Sequence, residues 1–346
     1  MTSSTASPLY IRPVQSTDLP SLLELATLLD TINLPKGTAA LQEMIARSES
    51  SFKCLTNGPP PTQPPDNKLY MLAAGRGKQL LGTASLLSHH GTPDDPHYYL
   101  RVIEQSVYST QLKTRRNRHI LRLERDEKPW TELGGLVVHP QARGQGIGKL
   151  LIAARLLLVA MHCGWFCERL LAELLPPRRN DGSNAFWDAI GGPLTGLNYY
   201  RADQLCRNDK EFIASLFPSH EIVMQLLPPA AQAVVGQVGP ATEPVRHILQ
   251  RAGFRYLNTI DPFDGGPHFG APIHAVSPLQ RRRSTVFLGY AAGATGREML
   301  LARPGSDSFH VLPVQLCHHG IKIAKGQAQG SDFCPGDRFR MMPLDW

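Results

Sequence analysis

One arginine and three glycines lie within six residues of the chain, at Arg143, Gly144, Gly146 and Gly148. The apolar run Leu136–Val138 before them predicts a β-strand, and the apolar stretch after them predicts a helix. A turn between a strand and a helix leaves backbone N–H groups unpaired at the positive end of the helix dipole. Glycines let phosphate oxygens approach those amides, and the arginine can add a charged contact. The spacing predicts an anion site, with an ordinary turn before a core helix as the alternative.

Two common phosphate loops do not fit this spacing. A Walker loop needs a Ser or Thr after its Gly-Lys pair, but Gly148 and Lys149 are followed by Leu150. A dinucleotide loop follows the first strand of a parallel sheet, whereas Leu69–Leu87 is predicted to be two antiparallel strands joined at Gly75–Gly77. The pattern that is present is Arg-x-x-Gly-x-Gly after a strand that ends Leu-x-Val-x-Pro.

The composition fits a globular protein that binds a small anionic molecule. The chain has 346 residues, 42% of them hydrophobic and 19% charged, and a formal charge of +7. This charge suits either a nucleic acid or an acidic molecule such as a CoA thioester. Aromatic residues are too scattered for base stacking. We expect no nucleic-acid partner, and nonspecific binding through the basic clusters Lys113–Arg118 and Arg281–Arg283 is the alternative.

The cysteines and apolar runs predict a cytoplasmic protein without a metal. Six cysteines show no pairing rhythm, and the N-terminus carries no secretory signal. Cys163 and Cys167 have no second pair at zinc-ligand spacing, and Cys317–His319 is isolated. The longest apolar stretch, Leu150–Met161, is too short to span a membrane. We therefore expect neither a metal nor a membrane partner.

The order of predicted elements indicates an α+β fold. A strand at Tyr10–Val14 and a helix at Leu19–Leu29 open the chain. A strand at Glu132–Val138, a helix at 146–163 and a strand at Arg169–Leu175 surround the glycine run.

The second half repeats part of this order. Short amphipathic helices are predicted at Ser183–Gly192 and within Thr242–Tyr256, each after a candidate strand, at 170–175 and 231–238. This repeat favours a duplicated half-domain, and the tail after Arg283 is predicted to form several short strands. The predicted divisions are a first domain at 1–195, a second half at 196–285 and a β-rich segment at 286–346.

The glycine run and its preceding strand closely resemble the pyrophosphate loop of the GNAT superfamily of acyl-CoA N-acyltransferases. The opening Ile11–Ala26 is also similar to the first strand and helix of that fold. The resemblance implies a GNAT-like architecture in which the backbone edge near Leu136 pairs with the pantetheine arm like an added strand. It implies that the domain at 1–195 binds acyl-CoA and that the half at 196–285 contributes to the substrate site. The implied acyl-CoA contacts are Leu136, Val138, Arg143, Gly144, Gly146 and Gly148.

Longer stretches across the chain resemble the arginine N-succinyltransferase family. They include His97–Val102, Glu132–Leu136, Phe186–Gly191, Glu211–Ile222, Leu227–Val238, Thr242–Tyr256, Ile260–Pro267 and Cys334–Leu344. The resemblance implies transfer of succinyl from succinyl-CoA to the α-amine of arginine in arginine catabolism. An acetyl donor or another amine is the alternative, and a homo- or hetero-oligomer is compatible with either.

Two positions depart from the family pattern. The family has a catalytic histidine, a proton donor, directly after Gly-Gln-Val, but Val238 is followed here by Gly239. The family also has an arginine two residues after the glutamate of Ala-Glu, where this chain has Leu175. These departures leave three readings: a relocated proton donor, a different acceptor, or a CoA-binding chain that is inactive alone or needs a second subunit.

Acyl transfer to an amine needs a base for the amine, N–H donors for the developing oxyanion, and an acid for the leaving thiolate. We predict Glu132 and Glu173 as catalytic candidates, on two strands that splay around the thioester, with Glu132 as the base. His220 is the histidine closest in sequence to the missing one and is predicted as a catalytic candidate. Asp203 and Asp264 are predicted to bind the guanidinium of the acceptor, with turn or helix capping as the alternative.

Overall fold

The computed structural model describes residues 7–28, 34–58, 61, 68–126, 128–179, 183–206, 210–291, 297–304, 309–316, 321–324 and 333–346. Its strands are β1 Leu9–Pro13, β2 Leu69–Arg76, β3 Gln79–His90, β4 Tyr98–Ser109, β5 Thr114–Arg125, β6 Trp130–Val138, β7 Arg169–Glu173, β8 Ile222–Val223, β9 Arg255–Ile260, β10 Pro267–Pro272, β11 Arg283–Ala291, β12 Arg297–Ala302, β13 Val311–Leu316, β14 Ile321–Ala324 and β15 Arg338–Pro343. Its α-helices are α1 Leu19–Ala26, α2 Thr38–Asn57, α3 Ile147–Met161, α4 Ala185–Ala189, α5 Gly191–Thr195, α6 Tyr199–Leu205, α7 Glu211–Leu216, α8 Pro229–Gln232, α9 Glu243–Ala252 and α10 Ser277–Gln280.

The strands join in one mixed sheet, which confirms the α+β class. Their order is β14-β11-β15-β12-β13-β1-β2-β3-β6-β7-β10-β9-β4-β5-β8. Strands β1, β2, β3 and β6 pair antiparallel, as the sequence predicts, and the tail after Arg283 forms strands β11 to β15. No helix among the described ranges is both long and apolar enough to cross a membrane.

The strands β6 and β7 pair in parallel over only a short length. Their register pairs are Thr131 with Leu170 and Glu132 with Leu171, although β6 continues to Val138. On its other edge β6 pairs with β3 and carries a bulge near Gly135, whose φ of 57° suits glycine. Because the pairing stops after Glu132, the two strands diverge, and one edge of β6 has no strand partner in the described part of the chain.

Helix α3 packs under this divergence because its sequence is apolar on every face. Ten of its residues are buried, and nine of them are apolar. The exception is Arg155, whose guanidinium donates to the carbonyls of Ser85 in β3 and Gly134 in β6, at 3.2 and 3.1 Å. Burial lowers the pKa of Arg155 to about 9. These hydrogen bonds tie α3 to both strands next to the bulge.

One predicted strand is wrong. Residues 231–238 contain the end of α8 and a series of turns, whereas the sequence suggested a second strand before an amphipathic helix. Pro229 lies in the first turn of α8 and favours a helix start there. The predicted helix within Thr242–Tyr256 is confirmed as α9, and β9 follows it.

The sheet runs through all three predicted divisions of the chain. The β4–β5 hairpin of the first division pairs with β9 and β8 of the second. Strand β13 of the third division pairs with β1 of the first. The proposed boundaries near 195 and 285 therefore fall inside a continuous sheet, and the duplicated half-domain stays a prediction.

Asn184 links the start of α4 to the turn between β9 and β10. Its side-chain oxygen accepts from the amides of Phe186 and Trp187, both at 2.8 Å. Its side-chain nitrogen donates to the carbonyl of Asp264 at 3.1 Å. Asn184 is buried, so its loss would leave several polar groups without partners.

Replacing Asn184 with Ala should lower the free energy of unfolding by about 2–4 kcal/mol, because a helix cap and a buried hydrogen bond disappear together. The matched control is Asn198→Ala, which removes only the cap of α6 on the amide of Arg201 and should cost about 1 kcal/mol. Urea denaturation measures both values. Equal losses for the two variants would contradict the linking role of Asn184.

Candidate functional site

A cavity of about 1060 Å³ lies beside the divergence of β6 and β7. It extends from the glycine run before α3 to the turn between β9 and β10. Among the predicted site residues, its lining includes Glu132, Leu136, Val138, Arg143, Gly144, Gly146, Gly148, Glu173, Asp203 and Asp264. The fold thus brings ten of the eleven candidates to one space.

His220 is the candidate that the structure does not bring to the cavity. It is exposed, and its ring contacts the hydroxyl of Ser219 at 3.3 Å. It is absent from the residues that line the cavity. His220 is close to Gly239 in sequence, but it does not lie with the other candidate residues at the cavity.

The glycine run forms an open turn at the N-terminus of α3. Gly144 and Gly146 have φ values of 77° and 79°, and Gly146 directly precedes the first helical residue. A Cβ at either position would meet no protein atom within 4 Å, so open space lies over the backbone. In the described part of the chain, the amides of Gly144, Gly146 and Gly148 have no hydrogen-bond acceptor. Unpaired amides at a helix N-terminus can bind an anion.

Arg143 and Lys149 flank this turn in different ways. Arg143 is exposed, and its Nε donates to the carbonyl of Val138 at 3.4 Å, which holds the side chain over the end of β6. Lys149 instead donates to the carbonyl of Leu344, and its ammonium lies 5.0 Å from the centre of the Trp346 ring. Arg143 is therefore the better placed cation for an anion on the turn.

Glu132 and Glu173 lie where the two diverging strands separate. Glu132 is buried on β6 at the last register pair with β7, and Glu173 ends β7. Burial raises the pKa of Glu132 to about 7, and the negative charge of Glu173 adds to this rise. A carboxylate with a pKa near neutrality can accept a proton and release it again under ordinary conditions.

Three histidines that sequence reasoning missed surround Glu173. The Nε2 atoms of His97, His90 and His268 lie 2.9, 3.7 and 3.9 Å from its Oε1. The Nδ1 of His90 also lies 3.4 Å from the Oε2 of Glu132. His97 begins one stretch that resembles the family and His268 follows another, and this position in the sequence could have drawn attention to them. The strand pairings that bring them together are non-local and cannot be predicted from the neighbouring residues.

Strand register explains how the histidines meet. His97 precedes Tyr98, which pairs with Arg125, so the next position outward in the β4–β5 hairpin is opposite Asp126. The Nδ1 of His97 lies 2.7 Å from Oδ2 of Asp126, and the amide of Asp126 donates to the carbonyl of His97 at 3.1 Å. His268 on β10 is the direct register partner of Glu173 on β7.

These histidines differ in charge. Burial opposes protonation of His97, but the hydrogen bond to Asp126 and the contact with Glu173 raise its pKa to about 9. Burial lowers the pKa of His268 to about 4 and that of His90 well below its usual value. Burial works against the charge of Glu173 too, yet the close contact with His97 leaves its pKa lowered. Near neutral pH, the cluster therefore holds one imidazolium against ionised carboxylates.

The far end of the cavity is acidic. It is lined by Asp203 and by Asp261 and Asp264 of the turn between β9 and β10. Burial raises the pKa of Asp264 to about 7 and that of Asp261 well above its usual value, with the charge of Asp264 adding to the latter. Asp264 also accepts from the amide of Gly266 at 2.8 Å, so the predicted turn-capping role is observed. A ligand cation there would relieve the repulsion between these carboxylates.

Gly239 lies against the chain that follows β7. Its amide donates to the carbonyl of Leu175 at 2.8 Å. A Cβ built on Gly239 would lie 2.7 Å from the carbonyl oxygen of Pro176, closer than real Cβ atoms approach such an atom. The two departures from the family pattern are thus in direct contact, and the backbone here leaves no room for a side chain.

Some of these groups could also coordinate a metal ion. Ligand atoms of His90, His97 and Glu173 lie within 4.8 Å of one another, as do those of Glu173, Asp261 and His268. Cys163 is exposed and Cys167 is buried, so they do not face one ligand. Cys317–His319 lies outside the described residues. The absence of a metal stays a prediction.

Comparison with known proteins identifies the family. The model for the arginine N-succinyltransferase beta subunit matches residues 9–278. The chain belongs to the arginine N-succinyltransferase family. The family assignment that the sequence motifs suggested is confirmed.

Individual relatives match over most of their length. The arginine N-succinyltransferase of Enterobacter sp. (strain 638) is 32% identical over 310 residues, which are 88% of each protein. That of Escherichia fergusonii is 30% identical over 342 residues, 97% of this chain and 98% of the relative. The structure of arginine/ornithine succinyltransferase subunit AI from Pseudomonas aeruginosa superposes with a TM-score of 0.82 at 25% identity. It covers 98% of this chain and 100% of that protein, which confirms the fold.

Replacing Gly239 with Ala should lower the free energy of unfolding by about 1–3 kcal/mol, because the new Cβ must displace the backbone at Pro176. Gly37→Ala is the control, because a Cβ there meets nothing within 4 Å and the change should cost only about 0.5 kcal/mol. Urea denaturation compares the two. A Gly239→Ala variant as stable as the original protein would show that the position has room for a side chain.

Proposed function

We propose that this protein is an acyl-CoA-dependent N-acyltransferase that moves succinyl from succinyl-CoA to the α-amine of arginine. The observation that carries this proposal is the single cavity, which joins an anion-binding helix terminus to a cluster of carboxylates and histidines. The names of the family relatives supply the acyl group and the acceptor.

The acyl-CoA occupies the divergence of β6 and β7. Its pyrophosphate accepts hydrogen bonds from the amides of Gly144, Gly146 and Gly148, with Arg143 at the rim. Its pantetheine arm then runs along the edge of β6 past Val138 and Leu136. That edge lacks a strand partner beyond Glu132, so its backbone can pair with the amides of the arm. The thioester consequently lies beside Glu132 and Glu173.

Arginine enters from the acidic end. Asp203, Asp261 and Asp264 bind its guanidinium, since carboxylates offer that group paired acceptors. The α-amine then points toward Glu132, which removes a proton as the nitrogen attacks the thioester carbonyl. Attack within a ternary complex needs no enzyme nucleophile.

The alternative is a chain that binds CoA but does not turn over alone. Gly239 supports it, because the family histidine is missing. The matching family model and the matched Pseudomonas aeruginosa structure are both described as subunits, so association with another chain or a second copy fits this alternative.

Release of free thiol from succinyl-CoA tests the proposed function. The purified chain should release CoA in the presence of arginine, more slowly with acetyl-CoA, and only at background rate without an amine. A panel of other amines defines the acceptor. Tight CoA binding with no thiol release from any donor and amine pair would exclude the proposal and favour the inactive alternative.

Replacing Glu132 with Gln should lower kcat by about 10²–10⁴-fold, because the amide cannot accept the amine proton. In the original enzyme kcat/KM should rise with pH through about 7, since burial raises the pKa of Glu132 to that value and only the ionised form accepts a proton. The variant should lose this inflection.

The control for this experiment is Glu104→Gln, which changes an exposed carboxylate of β4 outside the cavity. Its pH profile and kcat should match those of the original enzyme. A Glu132→Gln variant that keeps both kcat and the inflection would assign the base to another group.

A further inference from the structure

The structure lacks a proton donor at the position where the family has one. Gly239 has no side chain, and a Cβ there would meet the carbonyl of Pro176 at 2.7 Å. A histidine cannot occupy this position without moving the backbone. If the chain is active, another group must protonate the leaving thiolate.

We propose that His97, held between Asp126 and Glu173, is the proton donor that protonates the thiolate of CoA as it leaves. This inference rests on the acyl-transfer function proposed above. It assigns the role of proton donor to a histidine that directly precedes β4, in place of the family histidine that follows Gly-Gln-Val.

The first support is the position of His97. It is 5% exposed and lines the cavity, and its Nε2 lies 2.9 Å from Glu173 at the end of β7. The diverging part of β6 and β7, where the thioester would lie, begins at Glu132. His97 contacts Glu173, and His90 contacts both Glu173 and Glu132, so the acid and the base lie in one cluster beside this divergence.

The second support is an N–H that has no hydrogen-bond partner among the described residues. Although it lies 2.9 Å from Glu173, the Nε2 of His97 makes no hydrogen bond with any described residue. Its other ring nitrogen is fixed by Asp126 at 2.7 Å. Asp126 anchors one side of the ring, which leaves the buried Nε2 as the atom that donates to the thiolate in this proposal.

The third support is the charge of the ring. Two carboxylates flank His97, and no other histidine of the cluster has two such contacts under 3 Å. They keep His97 protonated, with a pKa of about 9, which is close to that of an alkyl thiol.

The step is balanced as follows. The substrate ammonium first loses a proton to solvent, and the amine nitrogen then bonds to the thioester carbon. Glu132 accepts a second proton from that nitrogen, the C–S bond breaks with its electron pair on sulfur, and His97 gives its proton to sulfur. The proton on Glu132 returns to His97 before the next turnover. His90 contacts both glutamates and could carry this proton. Its Nδ1 lies 3.4 Å from Glu132, and its Nε2 lies 3.7 Å from Glu173.

Two thioesters separate acid catalysis from structural damage. His97→Asn should lower kcat with succinyl-CoA by about 10²–10⁴-fold. With a succinyl thioester of an acidic aromatic thiol, which leaves without protonation, the loss should shrink by at least about tenfold. CoA affinity and the circular dichroism spectrum should be unchanged. The control His274→Asn changes an exposed histidine outside the cavity and should behave like the original enzyme with both donors.

Several results would overturn the proposal. An equal loss with both thioesters would give His97 a structural or base role, and no loss with either would remove it from the reaction. Stoichiometric bound metal that His97→Asn releases, together with activity that a chelator abolishes, would make the cluster a ligand set. If the Asn variant does not fold, the original enzyme still decides the matter, since a steep dependence of kcat on thiol acidity would show that no acid assists departure.

The failure of this inference is distinct from failure of the proposed function. An original enzyme that releases no thiol with any amine excludes acyl transfer itself. An active enzyme whose His97→Asn variant loses nothing excludes only the role of His97.

Discussion

The short parallel pairing between β6 and β7 is the constraint on which the site depends. Two register pairs hold the strands together up to Glu132, and beyond them the strands diverge. The bulge at Gly135 and the hydrogen bonds from Arg155 fix β6 in this path. A full-length pairing would close the cavity and satisfy the edge that the pantetheine arm is proposed to use. The same divergence places the glycine turn at one end and the paired glutamates at the other.

Other strands of the sheet place a cluster of histidines beside the divergence of β6 and β7. The cluster draws its histidines from the ends of three strands that lie apart in sequence. Each of them, His90, His97 and His268, approaches Glu173. Burying several imidazoles and carboxylates together is costly unless their charges compensate. Asp126 and Glu173 supply that compensation for His97. Position 239 has no side chain that could carry a proton. Ionisable groups nevertheless surround Glu173 at the end of β7, close to Leu175, which Gly239 contacts.

The sequence predicts the parts of the site that are set by local spacing. The glycine turn follows from residues 143–148 alone, and Glu132 and Glu173 follow from the strands on either side of α3. Comparison of the sequence with the family pattern also reveals that glycine replaces the expected histidine at position 239. By contrast, His97 reaches Glu173 only because the β4–β5 hairpin is placed beyond β9, a non-local pairing. Likewise, the predicted strand at 231–238 failed because its apolar residues also suit a short helix that starts at a proline. His220 was chosen by distance along the chain, which does not report distance in space.

The most direct measurement of the central claim is a crystal structure of the protein with a non-reactive CoA thioether and arginine. The account predicts the pyrophosphate on the amides of residues 144–148, the pantetheine arm along β6, and the sulfur between Glu132 and His97. It also predicts the guanidinium among Asp203, Asp261 and Asp264. A pantetheine arm outside the divergence of β6 and β7, or a sulfur remote from both Glu132 and His97, would contradict the account.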